Sequence, residues 1–366
     1  MEYADEIKIK DLEVLTYTIP AKTPEADGTI SWNSTTMVLV KVMAAGATGI
    51  GYTYAHPSAA VFIHQTLKII VIGSNALNIS RNHNCMVKAI RNNGNCGIAM
   101  MAVSAVDNAL WDLKAKILQL PLCRLLGTVR DSMPIYGSGG FTTYTDKQLE
   151  EQLGGWANEG ICFVKMKIGA HFSKDPHRIE VARKAIGDNA GLFVDANGAY
   201  TVRQALMLEE KCRQNRIDWF EEPVTSDNIK GLKFIRDHSD ANTNIAAGEY
   251  GYNLFYFVKL LEAGAVDILQ CDATRCGGIT NFLKVAALAE AQQTPFSSHC
   301  APSLHLHPSL GLPPFYIAEY FYDHVRIEKM AFDGFCEPVN GCMKPDLSRP
   351  GFGLTLKEKD MEKYKS

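Results

Sequence analysis

The 366-residue sequence predicts an α/β barrel preceded by a smaller domain in which a sheet is followed by helices. Three observations carry this. From Pro134 onward, short apolar runs alternate with helical patterns until eight strands are counted. Seven polar residues mark these runs: Lys167, Asp195, Glu221, Glu249, Asp272, His299 and Glu319. Six end a run, Lys167 lies one residue inside its run's end, and neighbours are 20 to 28 residues apart, the length of one strand plus a returning helix. Residues 8–55, by contrast, alternate with a strand-like period of two, and 57–127 turn helical.

In the first domain, Thr36–Val42 is rich in β-branched residues, and Gly46 and Gly49 punctuate the turn that follows. Residues 20–34, with Pro20, Pro24, Asp27, Gly28 and Asn33, read as a long loop between two strands, and its length suits a lid. Ile98–Leu118 is apolar all round, with Asp107, Asp112, Lys114 and Lys116 as its charges, which predicts a mostly buried helix. Strands are expected near 134–139, 162–168, 191–195, 217–221, 244–248, 266–271, 295–298 and 315–319. Helices near 146–159, 175–187, 201–214, 227–238, 253–263, 278–293 and 303–310 lie between them, which implies parallel pairing and allows closure. After about Phe332 the Gly- and Pro-rich tail lacks helical periodicity until Leu356 and is expected to wrap back onto the first domain. The expected division is 1–127, completed by about 332–366, and a barrel over 128–331.

Composition narrows the class. Apolar residues make up 46% and charged residues 21%, and the formal charge is −3 with mixed signs, so neither nucleic acid nor an anionic membrane is the expected partner. Ten cysteines without a CxxC pair, several such as Cys162, Cys212 and Cys271 inside apolar elements, read as free thiols in a reducing compartment. Met1–Lys10 carries Glu2, Asp5 and Glu6 and does not read as a signal peptide, and no run approaches the ~20 apolar residues of a membrane span. The cytoplasm is the expected location.

Asp195, Glu221 and Glu249 end three consecutive strands, so three carboxylates converge and need a cation. Oxygen ligands favour Mg²⁺, with Mn²⁺ as a substitute, over Zn²⁺. In Glu221-Glu222 the first is the expected ligand and the second its supporting neighbour, because adjacent strand residues point to opposite faces. Lys165 and Lys167 share one inward face of a strand, where each ammonium disfavours the other, so Lys167 is expected as a neutral base. Asp272 and His299 end neighbouring strands, and a carboxylate beside an imidazole suits an acid/base residue. His305 and His307 fall in an expected helix before Pro308 and are not assigned to metal. Glu319, protonated, is expected to donate a hydrogen bond to a developing oxyanion. Together these groups suit removal of the proton α to a carboxylate, with Mg²⁺, Lys165 and Glu319 stabilising the enediolate.

The sequence resembles the enolase superfamily and, within it, the mandelate racemase subgroup. The resemblance is carried by Ser104–Lys114, Leu125-Leu126-Gly127, Lys165-Met166-Lys167, Val194–Asn197, Glu221-Glu222-Pro223, Gly248-Glu249, Asp272 with Cys276-Gly277-Gly278, and Arg349–Leu354. It implies an α+β capping domain on a modified TIM barrel, (β/α)7β, with Mg²⁺ on Asp195, Glu221 and Glu249. It also implies Lys167 as one base, Lys165 on the substrate carboxylate, the His299–Asp272 dyad opposite, and a homo-oligomer. Relatives of this kind most often remove water from an aldonate or aldarate to give a 2-keto-3-deoxy acid, so an acid-sugar dehydratase is the leading expectation. A racemase or epimerase of a 2-hydroxy acid and a cycloisomerase of a sugar lactone or anhydro acid use the same groups. Substrate contacts are expected from Trp32, Asn33, Tyr52, Tyr54 and His56 of the capping loops and from Asn197. Gly51–Tyr54 departs from the Gly-x-Gly-Glu that many relatives carry there.

Overall fold

The computed structural model describes residues 6–366, so Glu2 and Asp5 of the acidic start lie outside the described residues. The alternating first third forms three antiparallel strands, β1 (Asp11–Ala26), β2 (Ser31–Ala44) and β3 (Ala47–Tyr54), joined in that order. Ala45 and Gly46 both take positive φ, the two-residue turn that suits strand twist. A helix at Gly97–Ile117 lies against this sheet, and Val103, Val106, Ala109, Leu110 and Leu113 are fully buried, as its unbroken apolar surface predicts.

Residues 20–34 are not the long loop that their proline and glycine content suggests. β1 and β2 pair across them, with Glu25 opposite Trp32, and a register shift between Pro20 and Glu25 absorbs the prolines. Only Asp27–Ile30 turn: Asp27 Oδ1 accepts from the backbone N–H groups of Thr29 and Ile30, at 2.6 and 2.8 Å. The tip rests on the barrel, and a Cβ on Gly28 would stand 2.6 Å from the Ile168 carbonyl oxygen.

Eight parallel strands follow: β4 (Met133–Gly139), β5 (Phe163–Lys167), β6 (Gly191–Asp195), β7 (Ile217–Glu221), β8 (Asn244–Ala247), β9 (Ile268–Cys271), β10 (Phe296–Ser298) and β11 (Phe315–Phe321). β11 pairs in parallel with β4, Glu319 opposite Tyr136, which closes the barrel. The protein is therefore a TIM-type barrel with a separate antiparallel capping sheet. Helices return between the strands, two of them opened by capping boxes at Thr145 with Gln148 and Thr201 with Gln204. Tyr136, Phe193, Trp219, Ala246, Ile268 and Ile317 fill the barrel's interior, Phe193 stacked on Trp219 at 4.8 Å.

The tail after Phe332 returns to both parts. Cys342–Met343 pairs antiparallel with β4, the Gly351 oxygen accepts from Leu122, and the backbone N–H of Ser366 donates to the Thr16 oxygen. All ten cysteines are unpaired; Cys212 and Cys271 are buried, whereas Cys162, one residue before β5, is exposed. Among the described residues, no helix is long and apolar enough to cross a membrane.

Candidate active site

The seven strand-end residues converge at the C-terminal mouth of the barrel, and all are buried. Each strand delivers its residue by the pleat of its last positions, and the turns beyond are tight. Asn197, Glu222, Cys300 and Ala301 adopt left-handed backbone conformations there, which cost a side-chain-bearing residue roughly 1–2 kcal/mol each. Gly248 takes φ +143, and a Cβ at this position would stand 2.7 Å from the Gln270 carbonyl carbon. Glycine alone lets β8 turn so sharply before Glu249.

Asp195, Glu221 and Glu249 each offer a carboxylate oxygen, and these oxygens lie within 4.8 Å of one another. Their hydrogen bonds are asymmetric. Glu221 Oε2 accepts from Lys165 at 2.7 Å, Trp219 Nε1 at 3.0 Å and Gln270 Nε2 at 3.0 Å, whereas its Oε1 is buried without a donor. Glu249 Oε2 is also buried, with His299 Nε2 3.1 Å away. Asp195 accepts from the Asn197 N–H and from Lys167. One oxygen of Glu221 is thus fixed by three donors while the other is presented bare, which fits ligation of a hard divalent cation. Around them, six buried carboxylates (Asp195, Glu221, Glu222, Glu249, Asp272 and Glu319) face Lys165, Lys167, Arg275 and His299. Burial and the Asp195 charge push the Glu221 carboxyl up to about 8, and a divalent cation would relieve that crowding of carboxylates.

Glu222 does not turn to the opposite face of the sheet as strand alternation predicts. The strand ends at Glu221, and the left-handed Glu222 keeps its side chain at the mouth, in a neighbouring cavity with Tyr250, Tyr252 and Tyr256. Burial and the charges of Glu249 and Asp195 push its carboxyl well up.

The acid–base groups are placed as expected, but two of their charge states are not. His299 Nδ1 meets Asp272 Oδ2 at 2.8 Å. Burial alone would raise the Asp272 carboxyl, yet the His299 hydrogen bond and charge, with Arg275, hold it at about 2. Burial alone would lower His299, and the surrounding Glu249 and Glu319 carboxylates raise it instead. Lys167 is not held neutral: the Asp195 carboxylate outweighs both burial and the Lys165 charge and raises it. Glu319 is not a protonated donor. Lys165 and His299 overcome its burial and keep it ionised, and it accepts from Ser138 Oγ at 2.6 Å and the Cys300 N–H at 2.8 Å. Lys165 is fully buried and bridges Glu221 and Glu319, the latter at 2.8 Å, one layer below the cavity.

A cavity of about 430 Å³ opens over this floor between capping sheet and barrel. Lys167, Glu249 and His299 line it, as do four of the expected substrate contacts: Trp32, Tyr54, His56 and Asn197. The other two are elsewhere. Tyr52 is fully buried with its hydroxyl on Glu328 Oε1 at 2.7 Å; it shares a face of β3 with Tyr54 but lies two residues back from the strand end, packed against Phe332. Asn33 is exposed outside the cavity, the strand partner of no mouth residue. His305 is structural, its Nε2 accepting from the Ala273 N–H at 2.9 Å, and His307 likewise accepts from the Cys123 N–H at 3.2 Å.

Strand-end reasoning missed Arg275, Cys300 and His324, which also line the cavity. Arg275 reaches Glu249 Oε1 at 3.5 Å and Asp272 Oδ2 at 3.7 Å, and its place three residues after Asp272 is a readable signal. His324 stacks on Tyr54 with ring centroids 3.5 Å apart; it follows β11 by three residues, past the positions that the barrel pattern marks.

Comparison with known proteins agrees with this geometry. Residues 11–127 match the mandelate racemase / muconate lactonizing enzyme N-terminal domain, and residues 148–360 match the family described as enolase C-terminal domain-like. A mandelate racemase/muconate lactonizing enzyme-like protein from Rubrobacter xylanophilus superposes with a TM-score of 0.96 at 47% identity, covering 98% of this chain and all of that one. The 3,6-anhydro-alpha-L-galactonate cycloisomerase of Streptomyces coelicolor is 33% identical over 85% of this chain and 86% of its own. The L-talarate/galactarate dehydratase of Salmonella typhimurium is 33% identical over 86% of this chain and 78% of its own. A structure of that dehydratase holding Mg and L-lyxarohydroxamate superposes with a TM-score of 0.90 at 28% identity, covering 100% of this chain and 96% of that one. On its sequence, its capped barrel and the place of its strand-end residues, the chain belongs to the mandelate racemase / muconate lactonizing enzyme family of the enolase superfamily.

Proposed function

We propose that the protein is a Mg²⁺-dependent acid-sugar dehydratase that removes the proton α to a carboxylate and expels the β-hydroxyl to give a 2-keto-3-deoxy acid. The observation that carries this reading is the pairing of Lys167 and His299 in one cavity above three converging carboxylates. Asp195, Glu221 and Glu249 would hold the ion, for which Mn²⁺ can substitute. When bound, it supplies Lewis-acid neutralisation of the developing charge and draws the Asp195 charge away from Lys167.

Lys167 and His299 divide the two proton transfers. Lys167 accepts the α-proton, and His299, oriented by Asp272 and kept charged by the Glu249 and Glu319 carboxylates, gives a proton to the leaving hydroxyl, so water departs and the enol product rearranges to the keto acid. Lys165 and Glu319 hold Glu221 and the Cys300 backbone in place from below, and Lys165 puts a positive charge under the substrate's carboxylate end. Trp32, Tyr54, His56 and Asn197 are the proposed substrate contacts; the Tyr54 hydroxyl and Asn197 Oδ1 are buried there without partners of their own. The proposed catalytic unit is 128–331, capped by 1–127 with 332–366.

Cycloisomerisation is the second reading, supported by equal 33% identity to the Streptomyces enzyme. A panel of aldonates, aldarates, lactones and anhydro acids with Mg²⁺ tests both. A keto acid trapped by semicarbazide supports dehydration. Exchange of the α-proton in D₂O without any keto product sinks it.

A further inference from the structure

Beside the carboxylate triad, His299, Cys300 and Glu319 form a second convergent set, all buried, with one donor atom each within 4.8 Å of the others. The set exists because the chain leaves β10 through two consecutive left-handed residues, Cys300 at φ +50 and Ala301 at φ +41. That kink turns the Cys300 thiol back toward the preceding imidazole. Cys300 Sγ lies 3.3 Å from His299 Nε2, and Glu319 Oε2 lies 3.7 Å from the same nitrogen. Zinc bonds of 2.0–2.3 Å give a tetrahedron edges of about 3.3–3.8 Å, so the spacing already suits one ion.

The surroundings favour ligation too. Asp272 holds His299 Nδ1 and so turns Nε2 toward the cavity, where Glu249 Oε2 lies 3.1 Å and Cys300 Sγ 3.3 Å away; a carboxylate on the far nitrogen is the arrangement that orients metal-binding histidines. Glu319 is fixed by Ser138, Lys165 and the Cys300 N–H. His299 and Cys300 both line the cavity, which gives an ion its entry path. The donor types differ from those of the triad: nitrogen, sulfur and oxygen select a borderline-soft ion, whereas three carboxylates select a hard one.

We infer that His299, Cys300 and Glu319 form a separate site for a thiophilic divalent cation, Zn²⁺ or Co²⁺, with water in the fourth position. On binding, the Cys300 S–H bond gives way to a sulfur–metal bond, the proton leaves to solvent, and no oxidation state changes. An ion there takes the nitrogen that would carry His299's proton, so it blocks turnover. That last consequence rests on the acid–base reading of His299; the site itself does not.

The test is titration of the full-length, Mg²⁺-saturated protein with Co²⁺, read by sulfur-to-cobalt charge-transfer absorption, which needs no substrate. The wild type is expected to show the band at one Co²⁺ per chain, and Cys300→Ser to lose it while still binding Mg²⁺. No band in the wild type overturns the inference, as does an undiminished band in Cys300→Ser, which would report exposed thiols such as Cys85, Cys96 or Cys162. Zinc X-ray absorption on the wild type alone guards against misfolding of the variant. One sulfur at about 2.3 Å is expected, and a shell of oxygen and nitrogen only refutes the site.

Discussion

Replacing Asp272 by asparagine removes the charge behind His299 while keeping its shape. The Asp272 carboxyl is held at about 2 against an ordinary 3.8. The His299 hydrogen bond and charge, with Arg275, thus more than offset the burial that would raise it. The same pairing favours the imidazolium, so its loss makes His299 easier to deprotonate. A second effect comes from geometry. Asp272 accepts two bonds, from the Thr274 N–H at 2.6 Å on Oδ1 and from His299 Nδ1 at 2.8 Å on Oδ2. Asparagine has one acceptor. If it serves Thr274, the amide NH₂ faces Nδ1, and the ring proton must move to Nε2, the wrong tautomer for a proton carrier. A matching inversion in a Ser–His–Asp triad costs about 10⁴, and general acid–base catalysis as a whole is worth about 10²–10⁴. The expected result for Asp272→Asn is therefore a fall in kcat of about 10²–10⁴, with Mg²⁺ affinity unchanged. The assay is keto-acid formation from a sugar acid that the wild type turns over, alongside calorimetric Mg²⁺ binding. An unchanged kcat would refute the reasoning, and loss of Mg²⁺ binding would locate the effect in the carboxylate triad instead.

Glu221→Ala is expected to weaken Mg²⁺ by about 10²-fold or more, read by calorimetry, and retained wild-type affinity would remove Glu221 from the ligand set. Gly28→Ala should displace the tip of the first hairpin, since its Cβ would meet the Ile168 oxygen at 2.6 Å, and lower kcat/KM by up to ~10² with the melting temperature little changed; an unaltered kcat/KM would show that the tip does not shape the cavity. Glu328 is a buried carboxyl raised by burial to about 7 from 4.5. Its folded form binds the proton more tightly than the unfolded chain, so wild-type stability falls as pH rises from 4.5 to 7, by roughly 3 kcal/mol. Glu328→Gln removes this slope, and its melting temperature relative to wild type should be higher at pH 8 than at pH 5. An equal difference at both pH values would contradict the assignment.

Much of the site was readable in the sequence because barrel geometry ties function to a countable position, the last residue of each strand. Lys167, Asp195 and Glu221 hold that position, Asp272 and His299 follow it by one residue, Glu249 by two, and Glu319 precedes it by two. Cys300 and His324 carry no such signal: Cys300 depends on a left-handed kink, and His324 on the helix that follows β11, neither of which has a period to count. Charge states were harder still. Two lysines on one face suggest mutual repulsion, but Lys167 is governed by Asp195, a carboxylate from the adjacent strand in register with it. Residues 20–34 failed for a different reason: prolines that mark a loop in isolation are tolerated where a bulge spares their missing N–H groups. Tyr52 and Tyr54 show the limit of residue type alone: they share one face of β3, but Tyr54 ends the strand and lines the cavity whereas Tyr52, two residues back, is buried behind it.

The capping sheet and two of its helices grip the segment after Asp272. Thr53 donates to the Thr274 oxygen at 2.7 Å, Asn108 to the Ala273 oxygen at 3.0 Å, and His83 Nε2 meets the Gly277 oxygen at 3.0 Å. Ser104 accepts from the Gly277 N–H at 2.8 Å, and Asp107 from Thr280 at 2.7 and 2.9 Å. One end of this domain is thus bolted to the backbone that carries Asp272 and Arg275, while its other end, the hairpin tip at Asp27–Ile30, touches the barrel through a turn. Variation can therefore accumulate at the tip, changing which substrate is admitted, without loosening the splint that keeps the proton-transfer groups aligned. A graft that exchanged the whole capping domain between relatives would disturb both at once, whereas a graft of the hairpin alone would leave the chemistry intact.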